Sequence, residues 1–242
     1  MNEFTTFANR EVCDLIFVDY ATKKPVLNMD WANTTASEVT GEAVYAYGGW
    51  GHPKRVTFYG EKGGTLTVET QMQSFQLYSI ITGAAIENSA SFLQREELSV
   101  ASGALTLSAE PVAGSVSVFA IEDDCGTEAE VTIEGKNVTI ADAADGDKYV
   151  VYYMTNITEG VKKISIKSTT FPKACTIYGS TYDRTENDEI IPQKMIAYKA
   201  TPQLTMNMAW SNTGDPASLS IVFDLLADEN DNMLDLIALD GE

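Results

Sequence analysis

Along most of this chain large apolar side chains recur at every second position, and no other feature restricts its fold as strongly. Successive side chains of a strand point to opposite faces, so period-two alternation marks strands with one face buried. It recurs at 43–47, 55–59, 65–69, 105–109, 115–121, 130–133, 148–154, 163–168, 174–178, 194–199, 203–210, 218–225 and 232–239. The most regular case is 203–210, where Leu204, Met206, Met208 and Trp210 alternate with Thr205, Asn207 and Ala209. A chain with so many short strands is expected to be mainly β.

One stretch departs from the alternation. Thr70 and Gln73 have the spacing of a capping box, Leu77, Tyr78 and Ile81 follow at helical intervals, and Gly83 stands where a left-handed residue ends a helix. These residues predict a single helix over 71–82 that covers an open sheet face. Between residues 92 and 158 the composition shifts toward Ala, Ser, Val and Asp, with turn signals at Gly103, Gly114, Gly135 and Gly146. Such spacing predicts a small β module inserted at 92–158. Residues 1–91 plus 159–242 then form the larger β core, the alternative being one continuous sandwich without a module.

Composition narrows the function. A chain that is 44% hydrophobic can bury a core. No apolar run reaches the ~18 residues of a membrane span, so no membrane partner is expected. The N-terminus lacks the basic start and apolar stretch of a secretory signal, which predicts a protein made and kept in a cytoplasm. A formal net charge of −19 disfavours specific binding to nucleic acid phosphates or anionic lipid. Cys13, Cys125 and Cys175 are odd in number and widely spaced, the pattern of reduced thiols and not of a disulfide frame or zinc knuckle.

Catalytic chemistry finds little to work with. His52 is the sole histidine and lies in a Gly-rich stretch, with no G-x-S-x-G serine to serve. The glycines at 48–51 and at 60–64 lack phosphate-loop spacing and read as hairpin turns. Asp228, Asn230 and Asn232 begin like a calcium loop, but Met233 stands where the loop needs Gly and Leu239 where it needs Glu. No catalytic, cofactor-binding or metal-ligating residue is assigned, and the chain is not expected to be an enzyme.

Three stretches, taken in order, resemble the layout of bacteriophage tail tube proteins. The first comprises Asp14-Leu-Ile-Phe-Val18, Ala43-Val-Tyr-Ala-Tyr-Gly-Gly-Trp-Gly51 and Thr65-Leu-Thr-Val-Glu-Thr70 with the helix and Gly83. The second, Asp145-Gly-Asp-Lys-Tyr-Val-Val-Tyr-Tyr153, is similar to a strand of the immunoglobulin-like insertions of virion proteins. The third joins Phe171-Pro-Lys-Ala174, Tyr198-Lys-Ala-Thr-Pro202, Gly214-Asp-Pro216 and the strand at 218–225. The resemblance implies a β-sandwich or barrel with one flanking α-helix, the insertion being immunoglobulin-like. It implies a virion tail subunit, assembled in the host bacterial cytoplasm into hexameric rings that stack around an acidic DNA channel.

Its partners would be copies of itself, other tail or virion proteins, and DNA that passes without specific binding. The alternatives are a capsid-associated or decoration protein, and a carbohydrate or cell-surface binding module using Trp31 and Trp50 as stacking platforms. Self-assembly directs attention to unpaired sheet edges, here the arm 1–9 and the terminal strand 232–239. The interface residues expected are Phe4 and Phe7 in the arm, Met233 and Leu236 in the terminal strand, and Trp50.

Overall fold

The alternation resolves, in a computed structural model that describes residues 6–210 and 212–239, into seventeen strands and one α-helix. The chain divides into two compact units, Ile86–Lys163 and the sequence on either side of it. No helix among the described residues is long and apolar enough to cross a membrane.

The flanking sequence forms a large antiparallel sheet. It contains β1 (Phe7–Ala8), β2 (Asp14–Asp19), β3 (Pro25–Met29), β4 (Thr34–Tyr47) and β5 (Lys54–Thr70). Helix α1 (Phe75–Thr82) follows. In the other unit lie β6 (Ile86–Glu87), β7 (Ala90–Ser99), β8 (Ala104–Thr106), β9 (Ser117–Ala120), β10 (Val131–Glu134), β11 (Asn137–Ile140) and β12 (Lys148–Ile157), and β13 (Lys163–Ile164) falls at its end. The large sheet resumes with β14 (Cys175–Thr185), β15 (Ile190–Pro202), β16 (Leu219–Leu226) and β17 (Leu234–Ala238). Its strands run in the order β3-β2-β14-β15-β16-β5-β4, with β1 on β14 and β17 on β15.

Alternation explains the core. Leu15 and Phe17 of β2, Leu66 and Val68 of β5, Ile177 of β14, and Leu219, Ile221, Phe223 and Leu225 of β16 all turn to one buried face. The Phe17 and Phe223 rings meet at 5.6 Å between centroids. Leu77 and Ile81, one helical turn apart, add the inner face of α1 to the same cluster.

The helix starts later than the sequence predicts. Thr70 ends β5, and its hydroxyl is occupied by Trp31 O, Met72 O and Met72 N, so it caps nothing. Ser74 is the N-cap instead, its Oγ accepting from Leu77 N at 3.1 Å. Gly83 ends the helix as expected, at φ 73° with its N–H donating to Ser79 O. Only a glycine fits there, because a Cβ would lie 2.1 Å from Phe171 O.

Within Ile86–Lys163 two three-stranded sheets, β10-β11-β8 and β7-β12-β9, share one apolar cluster. Leu105 and Val138 of the first meet Val118, Val151 and Tyr153 of the second. β7 escapes the sequence reading because its run of Gln94, Arg95, Glu96 and Glu97 dilutes the alternation, and β11, at four residues, is too short to stand out. The two ends of this unit are tied by an ion pair, Lys163 Nζ to Glu87 Oε2, at 2.7 Å.

Two expectations are corrected. The glycines Gly60, Gly63 and Gly64 do not make a turn: they lie inside β5, which joins 55–59 to 65–69 in one strand of 17 residues. A Cβ on Gly64 would stand 2.9 Å from Glu38 O and 3.4 Å from Leu225 Cδ1, so glycine serves the close approach of three strands. The second correction concerns 203–210, the most regular strand pattern in the sequence. No described residue there lies in a strand beyond Pro202. Met206 packs against the core while Leu204, Met208 and Trp210 are exposed.

Candidate interaction surface

The length of β4 and β5 creates the surface. Their ladder extends from Thr34↔Glu69 to Tyr47↔Lys54, whereas β16 covers β5 only from Gly64 to Thr70. Between Gly64 and Lys54 the hairpin therefore runs on as a two-stranded ribbon, about 33 Å at the usual rise per residue. Its tip is closed by Gly49 and Gly51 at φ 89° and 84°, with His52 N donating to Gly49 O at 3.2 Å and Arg55 Nε to Gly48 O at 3.2 Å. The Gly48–Gly51 turn thus matches its sequence reading.

Cross-strand partners share a face. Val44 stands opposite Phe58 and Ala46 opposite Val56, which gives one apolar face. Tyr45 opposite Thr57 and Ala43 opposite Tyr59 give the other, with Lys54 Nζ 3.6 Å above the Tyr45 ring. Val44, Tyr47, Val56, Phe58 and Tyr59 are all largely exposed, and Trp50 at the tip is fully so. A two-stranded ribbon is marginal by itself, and an apolar one exposes hydrophobic area together with unpaired edges. Between residues 43 and 60 the charged side chains are Lys54 and Arg55 alone, on a chain of net −19.

The residues expected at an interface fall in different places. Phe4 lies outside the described residues. Phe7 is exposed on β1, which pairs with Arg184 and Thr185 at the end of β14. The arm continues into Asn9, whose Nδ2 donates to buried Asp183 at 2.7 Å and to Tyr182 O at 3.2 Å. Trp50 crowns the hairpin. Met233 is half-buried against the core, and exposed Leu236 sits on β17 opposite Met195. Met233 and Leu236 share a groove of about 480 Å³ with Val39, Lys62 and Leu225, beside the base of the hairpin. Sequence reasoning missed Val39, Val44, Val56, Phe58 and Tyr59. The pairing of apolar residues across the 48–53 turn was the available signal, obscured because glycines inside β5 looked like a second turn.

Other groups considered for chemistry are engaged structurally. Both Asp228 oxygens are used to close a turn, Oδ1 accepting from Asn230 N at 2.9 Å and Asn232 N at 2.8 Å and Oδ2 from Asn232 Nδ2. Burial raises the Cys13 thiol and pushes Cys175 up to about 12. Cys125 is exposed beside Asp124 and Tyr152. Among the described residues no group of three His, Cys, Asp or Glu side chains is placed to hold a metal ion.

No curated protein matches the chain. The model of the YomU/Tube protein family matches residues 9–238, a span that takes in the hairpin, the helix, the unit at Ile86–Lys163 and the closing strands β14 to β17. This chain belongs to the YomU/Tube protein family, consistent with a phage tail tube protein.

Proposed function

We propose that the chain is a structural, non-enzymatic subunit of a phage tail tube, located in the virion tail, whose copies close into hexameric rings that stack around an acidic DNA channel. The observation that carries this reading is the overhanging β4–β5 ribbon, apolar on a face that no described residue of its own chain covers. In a ring or stack a neighbouring copy supplies the missing cover and the missing strand edge. In this reading the β-rich core at residues 1–91 plus 159–242 closes as a sandwich or barrel and builds the tube. The module at 92–158 is an immunoglobulin-like decoration, a reading supported by two small sheets around one core.

The charge fits a conduit. Carboxylates lining a lumen repel a phosphate backbone from the wall, which keeps a polyanion from adhering as it passes. At physiological salt the screening length is ~8 Å, so only acids near the lumen act on DNA and the outward ones serve solubility. Self-repulsion of subunits at −19 each also opposes assembly, so added salt should raise polymer yield.

Electron microscopy and sedimentation of the purified protein at high concentration test the reading. Rings or tubes are expected, and a species that stays monomeric across concentration and salt would refute it. If polymer forms but its yield falls steadily with salt, attractive ion pairs dominate the interfaces and the acidic-channel account fails.

A further inference from the structure

Between β15 and β16 the chain holds its most regular alternation and yet forms no strand among the described residues from 203 to 218. The ladder there is begun and not completed. Gln203 N donates to Val222 O at 2.8 Å, one step beyond the Pro202↔Phe223 pair. Continued in the same register, Leu204 would face Ile221, Met206 would face Leu219 and Trp210 would face Asp215, with 211–214 as the turn. Instead Leu204 is 69% exposed, Met208 41% and Trp210 85%. Side chains patterned for a sheet are left in water.

Its position relative to the hairpin is fixed by register. β5 runs from Lys54 at the hairpin tip to Thr70, and Thr70 pairs with Leu219. The 203–218 segment therefore leaves the sheet at one end of β5 and the hairpin tip at the other, about 50 Å apart at the usual strand rise. The two apolar features cannot meet within one chain. A contact between opposite ends of like subunits is heterologous and repeats head to tail without closing on a pair. Charge favours it at the tip: residues 43–60 carry Lys54 and Arg55, Glu42 and Glu61 lie nearer the base of the ribbon, and 203–218 carries Asp215 and no base, with exposed Glu69 on the neighbouring strand.

We infer that 203–218 is the docking site for the β4–β5 tip of a second copy, and that the segment completes its hairpin when the tip lands. This rests on the self-assembly reading and adds which segments meet. Val44, Val56, Phe58 and Trp50 of one copy then cover Met208 and Trp210 of the next, while Leu204 turns with Met206 onto the buried face of Leu219 and Ile221. The unfinished ladder keeps the site unformed until a partner arrives.

Cysteine trapping tests the pairing in the full chain, with exposed Cys125 replaced by Ser. Tyr47→Cys and Thr205→Cys in one chain should give, on oxidation, a ladder of dimers, trimers and higher species on a non-reducing denaturing gel. Mixing the two single-cysteine chains should stop at the heterodimer. Amides of 204–210 should also exchange at least roughly tenfold more slowly in polymer than in monomer. Crosslinking that stops at dimers, no crosslinks, or equal exchange in the two states would overturn this inference while polymer formed by the unmodified chain leaves the assembly reading standing. An unmodified chain that never polymerises overturns both.

Discussion

Replacing Val44, Val56 and Phe58 together by Thr should abolish assembly while leaving the monomer intact. Threonine is β-branched and keeps the strand, so exposed substitutions here should shift monomer stability by no more than about 0.5 kcal/mol. The cost arises only where a neighbour would cover these side chains. They are 67%, 49% and 58% exposed in the single chain. Full burial of such a side chain stabilises by about 1.5–3 kcal/mol, so covering the fraction still in water contributes about 3–4 kcal/mol for the three. With tenfold in equilibrium constant per ~1.4 kcal/mol, the critical concentration should rise on the order of several hundredfold. Light scattering and pelleting across a dilution series measure that concentration, and thermal melting of the dilute monomer checks the fold. An unchanged critical concentration with an unchanged melting temperature would show that the ribbon stays in water and would refute the reasoning.

Other consequences are open to simpler assays. Gly83→Ala should destabilise by about 2 kcal/mol or more, since φ 73° disfavours a side chain and a Cβ would overlap Phe171 O; a urea midpoint equal to wild type would contradict the close approach. Native protein should show one thiol reactive to Ellman's reagent, Cys125, and three after denaturation, because burial suppresses the thiolates of Cys175 and Cys13; a second fast thiol would mean the core opens. Burial raises the Glu96 carboxyl, but hydrogen bonds from Ser108 and from Tyr153 Oη at 2.7 Å outweigh it and hold Glu96 below the usual carboxylate range. A depressed value contributes stability above the unfolded range near ~4.3 that is lost as pH falls through the folded value. Urea midpoints taken from pH 7 downward should therefore fall less steeply in Glu96→Gln than in wild type, and parallel profiles would remove the role assigned to this carboxylate.

The strand-rich character and most strand positions were legible because burial of one face imposes period two, as at Leu219, Ile221, Phe223 and Leu225. Gly83 was legible for a related reason: a helix ending in a left-handed residue selects glycine. What misled were residues with two uses. Gly60, Gly63 and Gly64 could have reversed the chain, yet all three lie within β5, and Gly64 thins the strand where β4 and β16 crowd it, a tertiary demand absent from any local window. Thr70 had the chemistry of a cap but stood at the end of a ladder, leaving Ser74 to act. At 203–210 the pattern was regular and the strand still did not form, because alternation records which face a side chain wants buried and not who buries it. Of the candidate surface, the arm and the terminal strand could be proposed from exposed-edge logic and Trp50 from its place in a Gly-rich turn. The paired apolar face of Val44 and Phe58 emerged only with the register.

The ladders β2–β14 and β5–β16 join residues far apart in sequence, as in Asp14↔Ser180 and Thr70↔Leu219. During synthesis at ~5–20 residues per second, the N-terminal strands emerge on the order of ten seconds before the strands that must pair with them. Ile86–Lys163 is translated in that interval and holds both partners of each of its two three-stranded sheets, so it can fold on the ribosome while β2 and β5 wait for β14 and β16. With its ends pinned by Glu87 and Lys163, the folded unit spans a short gap, and the loop to be closed later is shortened by most of its length. The β4–β5 hairpin pairs within itself, but the sheet from which it projects is complete only once β16 has left the exit tunnel.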